Sequence, residues 1–424
     1  MCPQQDPQLT PVEQVALAGS PFGASYAPQE KITALVVDNF PALGKLAAMR
    51  FIEWVQDNPG GVISLPTGKT PEHFIKWVNR ALMGWEDPEV RAELEQSGVD
   101  PGRKPDMGSL HFVQIDEFYP IDPSQENSFF SYVNRFYIDG FSLDRRKALL
   151  IDCREIGLDR GQTLASVWGE GAVDLSLRYR APTNMGEQRQ KTVLAGVDQW
   201  CQEFEDAIRE LGGIGFFLGG IGPDGHIGFN VRGSDHRSTT RLSEVNYETQ
   251  AAAAGDLGGI EVARQRLVIT IGLGTITSAE SACAIIIAAG EAKARIVADA
   301  IQEPAGIGQP ASALHSLPNA RFYLTTGAAK LLDRRQVALI ERGEAPDDEL
   351  VERVLVDLAV KRNKRLIDLG AADVAADAAA AAVVKLRAEG LERLSTMVWD
   401  RLVQKVERAT QTLSDTRFLH TEPH

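Results

Sequence analysis

The sequence predicts an α/β protein, a doubly wound three-layer sandwich with a mostly parallel sheet, plus a C-terminal helical extension. Three observations lead there. Short apolar segments alternate with stretches of helical periodicity through most of the chain, the pattern of a parallel sheet covered on both faces. That alternation stops near Gly327, after which apolar residues recur only at helical spacing. The 424 residues exceed the roughly 100 to 200 of one ordinary domain, and a large α/β domain with an extension fits that length.

Taken in order, residues 1 to 30 are rich in Pro, Gln, Gly and Ser without sustained periodicity, so an arm is expected, with order beginning near Lys31. From Pro41 to Val55, Leu43, Leu46, Ala47, Phe51 and Trp54 recur at helical spacing. Asn58-Pro59-Gly60-Gly61 breaks that helix, and Val62 to Leu65 reads as a short buried strand. Further strand candidates are Leu110 to Ile115, Ile214 to Leu218, Leu267 to Ile271, Ala284 to Ala288 and Arg321 to Leu324, with helices at Val197 to Leu211 and Glu291 to Ala300. Residues 155 to 190, polar and rich in Gly and Arg, read as an excursion inserted into a domain spanning 31 to 330. In the extension, 331 to 424, Leu350, Val354 and Leu358 form one stripe and Leu391, Leu394, Val398, Leu402 and Val406 another. The run from Ala376 to Ala382 between them favours helix. Such stripes fit either packing on the parent domain or a subunit interface, which would make the protein a homo-oligomer.

Lys and Arg number 44 against 58 Asp and Glu, a formal charge of −14. A chain so acidic lacks the electrostatic footprint of a nucleic-acid or anionic-membrane binder, and neither partner is expected. The longest apolar stretch, around Ala282 to Ala289, falls short of the ~20 residues that span a bilayer. Met1-Cys2-Pro3-Gln4 opens without the basic and apolar regions of a secretory signal, so a cytoplasmic location is expected. Cys2, Cys153, Cys201 and Cys283 lie far apart and are expected to be reduced, mostly buried thiols without chemistry.

In doubly wound sheets ligands gather beyond the carboxyl ends of the strands, which directs attention to three junctions. After Val62 to Leu65 comes Pro66-Thr67-Gly68-Lys69-Thr70-Pro71, leading into a helical segment. Helix N-terminal amides, Thr hydroxyls and a Lys make an anion site suited to phosphate. A Walker A loop is excluded, because the Gly required five residues before Gly68 is Ile63. The second junction carries Asp116-Glu117, where one carboxylate suits a general base and the other a contact to its own turn; a pair of caps is the alternative. The third is Gly219-Gly220-Ile221-Gly222-Pro223-Asp224-Gly225-His226. Gly220, Gly222 and Gly225 satisfy GxGxxG, yet the residues that follow have no helical stripe, so a dinucleotide site is rejected. What remains is a glycine-rich turn presenting Asp224 beside His226, an acid/base arrangement.

With these junctions in chain order, the sequence resembles the glucosamine-6-phosphate deaminase and 6-phosphogluconolactonase superfamily across residues 31 to 330. The matching stretches are Leu65-Pro-Thr-Gly-Lys-Thr-Pro71, Ile115-Asp-Glu-Phe-Tyr119 with Asn127-Ser-Phe-Phe130, Leu218 to Asn230, Ile271-Gly-Leu-Gly-Thr-Ile276 and Gly290-Glu-Ala-Lys293. The ending Gly225-His-Ile-Gly-Phe-Asn230 is similar to the deaminase branch. The resemblance implies a phosphosugar-binding α/β fold and an aldose–ketose isomerisation with loss of ammonia, requiring no metal or organic cofactor. It casts Asp116 as the base at C2 and His226, held by Asp224, as the group that assists ring opening. Thr67, Gly68, Lys69, Thr70 and Lys293 would hold the phosphate. Glu117, Gly220, Gly222 and Gly225 complete the expected binding residues, the glycine amides stabilising an enediol.

Two departures stand out. Deaminases usually carry a Glu where this chain has Val231, and an Arg within the segment that here runs from Glu248 to Gly255 without one. The family loop usually has Gly where this chain has Lys69, so Lys69 is expected to replace the missing cation, and His226 to depend on Asp224 or Asp235 for orientation. The alternatives are a lactonase-type hydrolase and a catalytically weak phosphosugar sensor.

Overall fold

The protein is described by a computed structural model at residues 8–169, 172–247, 249–251, 266–342 and 346–415. Its contacts divide the chain into two compact units, Met1–Lys330 and Leu331–His424.

The first unit is built on a seven-stranded parallel sheet. Its strands are β1 (Thr33–Val37), β2 (Val62–Ser64), β3 (His111–Val113), β5 (Ala148–Leu149), β6 (Phe216–Gly220), β9 (Cys283–Ala288) and β10 (Arg321–Thr325), in the order β1-β10-β9-β6-β2-β3-β5. Parallel strands flanked by helices are buried on both faces, and β9 (Cys-Ala-Ile-Ile-Ile-Ala) and β10 are buried at every residue. The helix Phe40–Asp57 lays Leu43, Leu46, Ala47, Phe51 and Trp54 into the main core, where Phe51 meets Phe74, Phe141 and Phe216.

The order has one consequence for function. From β2 the chain proceeds outward to β3 and β5; from β6, its neighbour, it proceeds the other way to β9 and β10. The loops leaving β2 and β6 therefore diverge, opening a crevice at a topological switch point.

Three expectations are corrected here. Asp116-Glu117 does not sit in a turn but opens strand β4 (Asp116–Tyr119), which pairs antiparallel with β8 (Leu267–Thr270); β7 (Arg241–Ser243) completes a second, three-stranded sheet. Leu267 to Ile271 thus belongs to this small sheet rather than the parallel one. The described part of the expected arm is ordered: Pro11–Ala18 is a helix with a Thr10/Glu13 capping box, and Leu9, Val12, Phe22 and Ala24 are buried. Within the expected excursion lie the helix Leu164–Trp168 and the start of the long helix Met185–Glu210.

The second unit is helical, with Asp333–Arg342, Asp348–Arg362, Ala371–Ala375, Ala378–Leu386 and Leu391–Asp415. Its amphipathic stripes pack on each other: Val354, Leu358, Ala380, Val383, Leu394 and Val398 share one buried cluster, while Val406 is exposed.

Candidate active site

Four adjacent strands, β9, β6, β2 and β3, deliver the candidate residues to the carboxyl edge of the sheet. Beyond β2, Gly68 takes a positive φ of 78°, a conformation that favours glycine. The loop is pinned from outside by two hydroxyls, Tyr132 donating to the Gly68 carbonyl at 3.0 Å and Tyr137 to that of Pro66. The helix Glu72–Met83 then starts at Pro71 with no side-chain cap, so its positive end faces the loop. Thr67 and Thr70 are half-buried and Lys69 exposed. Lys69, Thr70, Gly220 and Lys293 line one cavity of about 240 Å³ with Phe40 and Leu43. Gly220 lies close to this loop: a Cβ there would stand 3.1 Å from the Thr70 methyl. Burial holds the Lys293 ammonium below its ordinary pKa, opposed by the charge of Asp224.

Beyond β6 the turn is folded on itself. Gly222 N–H donates to the His226 carbonyl at 3.0 Å and Gly225 N–H to the Gly222 carbonyl at 3.1 Å. No helix opens between Ile221 and Thr240, in keeping with rejection of a dinucleotide site. Because the Gly222 and Gly225 amides are consumed inside the turn, they are not the enediol-stabilising donors expected from sequence. Gly222 matters instead for the side chain it lacks. A Cβ on it would overlap the His226 ring at 2.0 to 2.3 Å, so the imidazole lies directly on its backbone. Phe229 runs nearly parallel to that ring, with centroids 6.0 Å apart.

His226 Nδ1 stands 2.5 Å from Asp224 Oδ1 and 3.2 Å from Thr249 Oγ1. Asp224 Oδ2 accepts from Asn246 Nδ2 at 2.6 Å and from Arg232 N–H at 3.0 Å. Burial raises the Asp224 carboxyl, yet the hydrogen bond and charge of His226 and the other two donors outweigh it and hold the group well below the carboxylate range. Asp235 instead accepts from Arg237 N–H, so orientation falls to Asp224. Asn246 and Thr249 went unnoticed in the sequence. Glu248 and 252 to 255, the rest of the segment without Arg, lie outside the described residues.

Beyond β3, buried Gln114 donates to the Asp116 carbonyl at 2.9 Å and accepts from Ile151 N–H at 2.9 Å, fixing the step into β4. Gly228, with φ of 57°, brings the histidine turn against this strand: a Cβ there would lie 3.1 Å from Thr270 Oγ1 and 3.6 Å from Asp116 Oδ2. Burial pushes the Asp116 carboxyl well above its ordinary pKa, and the neighbouring Glu117 charge adds to that. Glu117 is not a ligand contact. It is fully buried and accepts from Phe118 N–H, Phe129 N–H, Phe130 N–H and Ser128 Oγ at 2.7 to 3.0 Å, capping the helix Phe129–Val133. Burial still pushes its carboxyl up to about 7 against those donors. A larger cavity of about 510 Å³, bounded by Pro120, Arg154, Trp168 and Arg266, contains none of these residues. Cys153, Cys201 and Cys283 are buried free thiols, and Cys2 lies outside the described residues.

A parallel sheet whose switch-point edge gathers two lysines, a hydroxyl-bearing loop and an Asp–His pair defines an α/β protein with an anion-suited cavity and an acid/base pair. Comparison with known proteins narrows this. A glucosamine-6-phosphate deaminase of Arthrobacter sp. (strain FB24) is 38% identical over 290 residues, 68% of this chain and 88% of that protein. One of Bacillus velezensis is 26% identical over 291 residues, 69% of this chain and 96% of that protein. The solved structure of a monomeric glucosamine-6-phosphate deaminase shares the fold, with a TM-score of 0.52 and 20% identity over 70% of this chain and 99% of that one. No family model matches the chain. At the first of these levels of identity and coverage, the chain belongs to the glucosamine-6-phosphate deaminase family.

Proposed function

We propose that the protein is a deaminase/isomerase that converts a hexosamine 6-phosphate, glucosamine 6-phosphate first among them, into a ketose phosphate and ammonia. The observation that carries this reading is the gathering of a buried aspartate, an Asp–His pair and a two-lysine cavity on four adjacent strand ends. Lys69, Lys293 and the loop Thr67 to Thr70 take the phosphate, fixing the sugar relative to the two acid/base groups. His226 accepts the proton of the C1 hydroxyl as the ring C1–O5 bond breaks, and that proton passes to O5. Asp116 then removes the C2 proton while the C2 ammonium gives a proton to O1, leaving an enaminol, and Asp116 returns its proton to C1. The resulting C2 iminium takes up water and expels ammonia, which closes the balance without any oxidant or reductant.

The absence of a carboxylate at Val231 is met by the partners around Asp224, which order the histidine without a second acid. That Lys69 lines a cavity with Lys293 supports its taking the place of the cation that the resemblance expects between Glu248 and Gly255. The cytoplasmic location expected from the sequence remains part of this reading, and among the described residues no helix is long and apolar enough to cross a membrane. The test is a coupled assay of the full chain. Ammonia and fructose 6-phosphate formed in equal amounts from glucosamine 6-phosphate are expected. Hydrolysis of 6-phosphogluconolactone with no ammonia release would replace the reading by a lactonase, and thermal stabilisation by sugar phosphates without turnover would replace it by a sensor. Lys69→Ala is expected to raise KM about 10-fold, the weight of a hydrogen bond to a charged group; an unchanged KM removes Lys69 from the phosphate site.

A further inference from the structure

The two partners of His226 Nδ1 come from different segments, and one side chain ties them together. Asp224 belongs to the histidine's own turn, whereas Thr249 follows β7. Between them stands Asn246, half-buried, whose two ends face opposite ways. Its Nδ2 donates to Asp224 Oδ2 at 2.6 Å, and its Oδ1 accepts the Thr249 N–H at 3.1 Å. The Gln250 N–H bonds the Asn246 carbonyl at 2.9 Å, a second tie between Asn246 and the residues beside Thr249. Thr249 is itself buried, 3% exposed.

The chemistry of these groups selects one state of the imidazole. An ionised carboxylate can only accept, so the Nδ1 facing Asp224 Oδ1 must carry the proton. Thr249 Oγ1, on the same nitrogen, takes a second share of it. In the neutral ring, the remaining nitrogen, Nε2, is then the one that keeps its lone pair. Because Oδ2 is already occupied by Asn246 and Arg232 N–H, the carboxylate cannot turn away from the ring without breaking both bonds. Arg232 contributes only backbone, so Asn246 is the side chain on which this arrangement depends.

We propose that Asn246 is a positioning residue that, through Asp224 and Thr249, holds His226 in the Nδ1–H tautomer with Nε2 as the proton acceptor toward substrate. The inference rests on the reading of His226 as the ring-opening group, and its test separates the two. In the full chain labelled with ¹⁵N-histidine, the His226 signals are assigned by their loss in His226→Gln. The wild type is expected to show Nδ1 protonated and Nε2 bare, and Asn246→Leu to show a mixture of tautomers with kcat reduced about 10-fold and KM within about two-fold. Thr249→Val shifts the same signals in the same direction, and Thr249→Ser, which keeps the hydroxyl, restores both readouts. Should Asn246→Leu fail to fold, Thr249→Val against Thr249→Ser decides alone. Wild-type tautomer in the folded variants overturns the proposal, as does an unchanged kcat. The nitrogen shifts need no substrate, so a wild type that turns over no amino-sugar phosphate counts against the proposed function and leaves the tautomer measurement to decide this one.

Discussion

At the scale of single residues, the site places a proton acceptor where its charge is hardest to keep. Burial, then the charge of Glu117, raises Asp116 above the 3.8 of an ordinary aspartate. The folded state therefore binds this proton more tightly than the unfolded one. The group favours folding at low pH, and that contribution is lost as pH rises through the folded value. Carrying the charge at neutral pH costs stability, which the base function exploits. Asp116→Asn is accordingly expected to melt no lower than wild type at pH 7 while losing about 10²- to 10⁴-fold in kcat. The wild-type kcat/KM is expected to rise along an acid limb whose midpoint lies above that of an ordinary aspartate, because the ionised form reacts. A limb at the ordinary value, or retained turnover in the variant, removes Asp116 from the base role. Gly222 gives a second prediction at this scale. Its backbone needs no positive φ, so alanine is conformationally allowed, but the new methyl occupies the His226 ring position. Gly222→Ala is expected to fold and to lose about 100-fold in kcat, as a displacement near 1 Å of a reacting group does. An unchanged kcat would show that the ring does not work from that seat.

At the scale of elements, what the sequence disclosed depended on how local the determinants were. Val62 to Leu65 and Ala284 to Ala288 were legible because a strand buried on both faces is apolar throughout, and the loops behind them followed from the rule of strand ends. Strand β4 was not, because Asp-Glu-Phe-Tyr looks like a polar turn until β8, about 150 residues later, pairs with it. Asn246 and Thr249 belong to no periodic pattern, and their relation to His226 exists only after β7 and β8 close the small sheet. The helix Pro11–Ala18 did leave a local sign, Thr10-Pro11-Val12-Glu13, which is a capping box with Pro at its first position. Eight residues are too few for apolar periodicity to register, so composition alone suggested an arm. Its anchor is long-range. Glu13, 1% exposed, accepts from the Tyr323 hydroxyl at 2.8 Å and faces Arg321 Nε at 3.2 Å, both on β10. Removing one member of a buried ionic group leaves the other charge uncompensated, so Glu13→Ala is expected to cost about 3–5 kcal/mol in denaturant unfolding. KM should stay at the wild-type value, since none of these groups lines the two-lysine cavity. A loss under 1 kcal/mol would return the helix to the status of an appendage.

At the scale of the whole molecule, the proposed function asks a chain with a formal charge of −14 to bind a phosphate group. The two requirements are reconciled by distance. On the proposed function, an approaching sugar phosphate meets the summed negative field far from the surface, and in the crevice the two lysines that line the cavity and the end of the helix Glu72–Met83. The switch-point topology concentrates these groups, because loops leaving adjacent strands in opposite directions expose one edge to both. Salt separates the two contributions. At about 10 mM ionic strength the screening length of ~30 Å lets distant charges act and repulsion is felt, whereas at 150 mM it shrinks to ~8 Å and only the nearest charges remain. Wild-type kcat/KM for the amino-sugar phosphate is therefore expected to increase roughly two-fold from 10 to 150 mM of a weakly coordinating salt, opposite to the decline of a site steered by attraction. Lys69→Ala removes a near charge and leaves the far field almost unchanged, so its kcat/KM should be lower throughout and rise more steeply with salt. A wild-type rate that falls with added salt would mean that the local cations dominate the approach as well as the binding, and that the net charge of the chain has no part in how substrate arrives.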